Sequence, residues 1–303
     1  MFIVKKRIAF FILSIALVVG SLWAIVHYGM NFGIDFTGGS VLQVTYVDQG
    51  AGVPDLDTVK GRLQTAGYQN ALVNTRAESG YVIKIKHISE QEKNALLLVL
   101  TAQATQPVIV EKFNSIGPSV GNELKQKAYV AIAVVLVCIM IFIIFAFRRL
   151  RNPFNYGVAT LIALAHDVVI PTGVYVVFSH ITGAEIDLLF VSAILAILGY
   201  SVHDTIVVFD RVRENSIKEG GMKNAKNFEH IVGESVTQTM GRSINTSVTI
   251  FITLLALYVF GGDTTHHFAF LLLVGVIIGT YSSICVASPL LVTLENWRMK
   301  GKR

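Results

Sequence analysis

Residues 186–209 read IDLLFVSAILAILGYSVHDTIVVF, an apolar run long enough to cross a bilayer that nevertheless carries a carboxylate, Asp204, well inside it. A charge at bilayer depth costs about 2.5–3.5 kcal/mol on insertion scales, so a chain keeps one there only where something offsets or uses it. Asp187, near the outer end of the run, is an ordinary interfacial acid. Arg242, at the mouth of the next apolar run, is the candidate counter-charge. Together Asp204 and Arg242 imply proton or ion movement.

Five further runs of about the same length flank this one, over residues 8–28, 128–147, 154–183, 243–261 and 268–294. The chain has 303 residues, 53% of them hydrophobic and 15% charged, whereas charged residues make up about a quarter of a soluble domain. This composition excludes an ordinary soluble protein and predicts six transmembrane helices. The first run follows Lys5-Lys6-Arg7, is longer than a signal-peptide core, carries Trp23 and lacks a small-x-small cleavage site, so it reads as a retained anchor. Basic residues cluster at Lys5 to Arg7, at Arg148, Arg149 and Arg151, over 211–242 and over 298–303. The short loops near Ala184 and Asp263 hold no Lys or Arg. Six crossings then place both termini in the cytoplasm. The net charge of +5 reflects this bias and gives no reason to infer a nucleic-acid partner. Cys138 and Cys285 fall within spans and read as small packing residues.

The spans divide the chain into a first helix (1–30), a polar segment (31–127) and the remaining five helices (128–303). Within the polar segment, Ser40 to Val47, Ala71 to Thr75, Tyr81 to Lys86 and Val108 to Phe113 have strand character. Asp55 to Ala66 and Ser89 to Thr101 read as helices, the second opening with the capping box Ser89-x-x-Glu92. The order strand, helix, strand, strand, helix, strand predicts an α+β ferredoxin-like extracytoplasmic domain. It contains no metal-ligand spacing and no nucleophile constellation, so docking or substrate handling is expected there rather than catalysis; no cofactor or metal is expected. Gly33-Ile-Asp-Phe-Thr-Gly-Gly39 reads as a rigid joint at the membrane surface, with Asp35 capping a tight turn. A phosphate loop is a poor reading, since no Lys follows.

Helical spacing sorts the polar residues of the spans into stripes. Gln238, Arg242, Asn245, Thr249 and Thr253 share one face of the fifth span. Ser192, Ala196, Gly199 and His203 share one face of the fourth, with Tyr200 and Asp204 beside it. Thr160, Ala163, Asp167 and Pro171 align in the third, the proline bending the helix. Gly275, Gly279, Ser283 and Ala287 recur every fourth residue in the sixth, the pattern of close helix packing. A bundle with a polar interior is the expected home for these faces. If the fifth helix begins near Val236, the Arg242 head rises toward Asp204, giving a carboxylate whose proton affinity depends on where an arginine stands. A static ion pair is the other reading. Asp167, beside His166, is either a relay or a structural hydrogen-bonding group; His203 is either a shuttle or a packed neutral histidine. The echo between Ala-His166-Asp167-Val-Val-Ile and Val-His203-Asp204-Thr-Ile-Val is too short to establish a repeat.

Gly33-Ile-Asp-Phe-Thr-Gly-Gly39, Gly199-Tyr-Ser-Val-His-Asp-Thr-Ile-Val-Val-Phe-Asp-Arg-Val-Arg-Glu-Asn215, Arg242-Ser-Ile-Asn-Thr246, Gly279-Thr-Tyr-Ser-Ser283 and Ala-Ser-Pro-Leu-Leu291 together resemble the SecF family, over nearly the whole chain. The resemblance implies a half-transporter of the resistance-nodulation-division type in the bacterial inner membrane. It would pair with SecD and associate with the SecYEG channel, with SecA and YidC/YajC as further partners. It also implies use of the proton motive force to draw unfolded preproteins outward after the SecA step, with no enzymatic activity of its own. Asp204 and Arg242 fall on that family's proton-path positions. Asp167, His203, Asn245 and Thr246 are candidate secondary relay residues beside them. Asparagine is more usual than His203 before the aspartate. The competing expectations are a proton-driven small-molecule exporter subunit and a non-energised assembly scaffold.

Overall fold

The computed structural model describes residues 2–47, 53–76, 79–102, 106–150, 152–220 and 225–300. Arg151 and the basic residues Lys302 and Arg303, counted above toward the inner clusters, lie outside the described residues. In chain order the elements are α1 (Phe2–Lys5), α2 (Arg7–Tyr28), α3 (Ile34–Thr37), β1 (Gly39–Tyr46), α4 (Leu56–Thr65), β2 (Leu72–Arg76), β3 (Gly80–Ile85), α5 (Glu90–Leu100), β4 (Val108–Ile116), α6 (Pro118–Ala146), α7 (Pro153–Thr182), α8 (Leu188–Lys218), α9 (Ala225–Phe260), α10 (Asp263–Ser282), a π-helical turn (Ser283–Ala287) and α11 (Ser288–Lys300). They form two compact units, Met1–Asn31 with Val130–Arg303, and Phe32–Tyr129.

Among the described residues six helices are long and apolar enough to cross a membrane, the last being α10, the π turn and α11 in continuity. That last span is 61% buried within the chain and the α6 span 6%, so α6 presents almost all of its apolar surface outward. Local chemistry sets the helix ends. Pro153 opens α7, where its missing N–H costs nothing, and Gly183 closes it in the left-handed region at φ +76°. Asp187 caps α8, accepting from the Phe190 N–H at 2.9 Å. Pro289 lacks the N–H that an α-helix would direct at the Cys285 carbonyl. The backbone widens there into the π turn, and Ser288 Oγ donates to the Ser283 carbonyl at 2.9 Å.

Two helices begin well before the apolar runs that predicted them. α6 starts at Pro118, and its polar first turns carry the Glu123–Lys127 pair at 2.7 Å. α9 starts at Ala225, because Phe228, Ile231, Val232 and Val236 form a buried stripe beneath charged residues. Arg242 therefore sits deep within a helix rather than near its start. At the N-terminal end of α7, the buried carboxylate of Glu295 accepts from Asn152 Nδ2 at 2.7 Å and Asn155 Nδ2 at 2.6 Å, tying α11 to the positive end of the α7 dipole.

The second unit is an antiparallel sheet in the order β2-β3-β1-β4. Leu42, Val44, Tyr81, Ile83 and Val73 point to one face and pack against Val59, Leu63, Leu96 and Leu100 of α4 and α5. The capping box forms as read, with Ser89 Oγ accepting from the Glu92 N–H and Glu92 accepting from the Ser89 N–H at 2.7 Å. The joint differs from expectation: Asp35 lies in the first turn of α3, with Gly33 at the capping position, instead of capping a tight turn. Gly38 is at φ +71°, and a Cβ there would lie 2.7 Å from Pro118 Cα, so the glycine permits the backbone to pass close to the start of α6.

Candidate functional site

Two buried carboxylates face hydroxyl groups in the interior of the membrane unit. Asp167 of α7 is fully buried, and three groups meet it. Ser201 of α8 and Ser282 at the end of α10 both donate to Oδ2, the latter at 2.6 Å, and His166 Nδ1 lies 2.9 Å from Oδ1. Asp204, one turn further along α8, is 7% exposed; Ser243 of α9 donates to its Oδ1, and its Oδ2 has no hydrogen-bond partner. Ser201, which donates to Asp167, accepts at its carbonyl from Thr205 Oγ1 at 3.1 Å and Ser283 Oγ at 3.2 Å. Nearer the N-terminal end of α8, Tyr200, Ser247 and Thr280 form a hydroxyl triangle with separations of 2.5, 2.9 and 2.7 Å.

Small residues bring these groups together. A Cβ on Gly275 would collide with the Ile197 side chain, and one on Gly279 would lie 3.2 Å from Ser201 Cβ. The stripe Gly275, Gly279, Ser283 and Ala287 is buried throughout, as are Thr160, Ala163, Asp167 and Pro171.

The other two stripes lie elsewhere. Ser192, Ala196, Gly199 and His203 of α8 are exposed, and so are Gln238, Arg242, Asn245, Thr249 and Thr253 of α9, with Thr246 beside them. A polar bundle interior was expected for all four stripes, but this chain encloses only two. Among the described residues no ion pair joins Asp204 to Arg242; the donor to the acid is the next residue, Ser243. A polar stripe on the outside of a membrane helix is costly against lipid and fits a surface that a second polypeptide covers.

Sequence reading singled out the charges but missed the serines that hold them, because Ser201, Ser243 and Ser282 look like ordinary small residues in an apolar run. The adjacent pair Ser282-Ser283 shortly before Pro289 is the signal available in retrospect. Glu295, a lone acid at the end of its span, was also passed over. Toward the C-terminal end of α8, Arg211 Nε donates to Gln238 at 2.6 Å and Asn215 Nδ2 to Ser235 at 2.9 Å, fastening α8 to α9 beyond the acids.

Six apolar helices, one extramembrane α+β unit inserted after the first, and acids buried among hydroxyls define a polytopic membrane protein with a polar site inside its bundle. The family model described as "Protein export membrane protein SecD/SecF, C-terminal" matches residues 98–297, and that described as "SecD/SecF GG Motif" matches residues 23–49. The chain is 40% identical to protein translocase subunit SecF of Thermobaculum terrenum, over 97% of this chain and 94% of that one. It is 35% identical to SecF of Anaerolinea thermophila, over 99% and 97%. Among solved structures it is similar to SecDF, a translocon-associated membrane protein from Thermus thermophilus, with a TM-score of 0.80 at 30% identity. That match covers 97% of this chain and 38% of the SecDF chain. The chain belongs to the SecF family of protein translocase subunits.

Proposed function

We propose that this chain works as the SecF subunit of the bacterial protein-export machinery, pairing with SecD and using the proton motive force to help draw preproteins outward after the SecA step. One observation carries the reading: a carboxylate, Asp204, is buried at bilayer depth beside a polar stripe that this chain leaves uncovered. A buried acid in a span is a proton-path candidate by default. The exposed faces of α8 and α9 suit helices of a SecD-like partner, in keeping with the name SecDF carried by the similar structure. Asp204 and Arg242 are assigned to proton coupling, with Asp167, His203, Asn245 and Thr246 as secondary relay positions. Both termini are assigned to the cytoplasm, and the β2-β3-β1-β4 sheet with two helices on one face supports a ferredoxin-like description of the outer domain. SecYEG, SecA and YidC/YajC are the further partners of this reading.

No nucleotide site or enzymatic step is required. One charge crossing the membrane yields about 2.3 kcal/mol per 100 mV, enough to bias a two-state domain motion. Asp204→Asn tests the assignment in a strain where the SecD-like chain is present. Normal assembly with accumulation of unprocessed precursors, and loss of the uncoupler-sensitive part of export, is the expected result. Undiminished export by the variant favours a scaffold; intact export with new drug sensitivity favours a small-molecule exporter.

A further inference from the structure

We propose that His166 and Asp167 form a second proton-binding dyad, read out by Ser282 at the entrance to the π turn, so that the last span responds to a proton held on α7. This inference rests on the proton-coupled reading above and extends it to a carboxylate that faces away from the exposed polar stripes.

The hydrogen bonds around Asp167 define a charged state and an exchangeable one. An ionised carboxylate only accepts, and here it has two serine hydroxyls on Oδ2 and the imidazole Nδ1 at 2.9 Å from Oδ1. With Nδ1 protonated, Nε2 of His166 bears a lone pair; that atom is buried and has no hydrogen-bond partner. A proton arriving at Nε2 lets the Nδ1 proton pass to Oδ1 of Asp167. With hydronium as the donor, one of its O–H bonds and the Nδ1–H bond break, an Nε2–H bond and a carboxyl O–H bond form, and water is left. The imidazole ends neutral in its other tautomer and the carboxyl ends neutral.

Ser282 senses the change. Its Oγ lies 2.6 Å from Asp167 Oδ2 and 3.1 Å from the Gly279 carbonyl, and its single proton serves one acceptor at a time. A hydrogen bond to an ionised acceptor is roughly twice as strong as a neutral one, so neutralising Asp167 shifts the balance toward Gly279. The next residue, Ser283, begins the π turn and bonds to α8 through Thr205 and the Ser201 carbonyl. π turns inside α-helices recur at functional sites, and this one starts where the charge-sensitive bond ends. Below it, the Glu295 carboxylate bound to Asn152 and Asn155 fixes α11 to α7. The last span is thus held on one side of the π turn by Glu295 and on the other by the Tyr200–Ser247–Thr280 triangle, so a change at Ser282 is taken up in the π turn between them.

The elements packed against α7 carry other titratable groups. Tyr281 of α10 stacks 6.1 Å from the His166 ring, Cys285 lies in the π turn, Glu295 is the anchor on α11, and Asp204 is the buried acid on α8; His203 of α8 is exposed, Asp210 to Lys218 occupy the last turns of α8, and His266 and His267 the first turns of α10. α2 carries no charge between Arg7 and His27.

The test is infrared difference spectroscopy of the full chain reconstituted with its SecD-like partner, titrated from alkaline to acid pH, alongside export assays in the same vesicles. We expect a buried carboxylic-acid C=O band that disappears in Asp167→Asn and persists in Asp204→Asn. Ser282→Ala should move the titration of that band by at least one pH unit and lower gradient-stimulated export at least tenfold, with ATP-driven export unchanged; Ser282→Thr should restore both. A band untouched by Asp167→Asn, or a Ser282→Ala variant that titrates as wild type, overturns the inference. Should Asp167→Asn not assemble, the two Ser282 variants, which keep the carboxylate, decide alone. If Asp204→Asn exports normally, the parent reading fails; if it blocks export while the Asp167 band is absent, only the dyad fails.

Discussion

Ser243 of α9 donates a hydrogen bond to Oδ1 of Asp204 on α8, while Arg242, its immediate neighbour, faces outward from the chain. One helical step, about 100°, separates the residue that satisfies the acid from the residue that carries the opposite charge. Asp204 is thus held from inside by a neutral donor, and Arg242 lies on the surface where a partner helix would pack.

Removing that donor should be costly. Ser243→Ala leaves Asp204 without its recorded hydrogen bond, and a hydrogen bond to a charged group contributes about 1.5–3 kcal/mol. We expect gradient-stimulated export to fall on the order of tenfold to a hundredfold, with the complex still assembled and Ser243→Thr close to wild type. Precursor accumulation in cells and in inverted vesicles measures this; a Ser243→Ala variant with normal export would remove the residue from the site.

The packing of α10 on α8 makes a second prediction. A methyl group at Gly275 meets the Ile197 side chain, so Gly275→Ala should lower stability by about 1–3 kcal/mol, the usual range for overpacking. Ile197→Ala in the same chain should recover part of the loss, since it vacates the space. Thermal unfolding of the purified complex in detergent reads both, and additive losses would contradict the direct contact.

The extramembrane unit has its own core, with Leu96 fully buried against Leu42, Ile83 and Leu63. Leu96→Ala should destabilise that unit by about 2–5 kcal/mol. Hydrogen exchange on the intact chain should show the loss across β1, β3 and α4, leaving the amides of α7 and α8 unchanged.

Two carboxylates of this unit link its stability to pH. Hydrogen bonds from Thr58 hold Asp55 below the ordinary carboxylate range, and those from the Ser89 N–H and hydroxyl do the same for Glu92. A carboxyl whose folded value is depressed stabilises the fold above its unfolded value, about pH 4, and that stability is lost as pH falls through the folded value. Protection of α4 and α5 should therefore be flat from neutral pH to about pH 5 and decline in more acid solution. Asp55→Asn with Glu92→Gln should flatten the decline; an unchanged acid limb would assign it to other groups.

Much of the architecture could be read from residue patterns alone. Apolar runs located the six spans, strand alternation located four strands, and Ser89-x-x-Glu92 located a helix start to within a residue. Each of those signals is local. The start of α9 escaped because Phe228, Ile231, Val232 and Val236 are interleaved with charged residues, so the segment is amphipathic where an apolar run was sought. The acids Asp167 and Asp204 stood out through cost, whereas Ser201, Ser243 and Ser282 carry no cost signature and acquire meaning only once three helices meet. Which stripes face inward was beyond local reading, since a small-residue stripe looks the same whether it packs within the chain, as at Gly275, or stays exposed, as at Gly199.

The π turn at Ser283–Ala287 amounts to one residue more than an α-helix would use over the same stretch, and each residue advances a helix by about 100° and 1.5 Å. That surplus sets the angular phase of everything after it. Were it annealed into regular α geometry, Glu295 would swing off the two asparagines while Ser282 stayed put, so the insertion is what lets a single continuous rod address both the acid at mid-membrane and the base of α7.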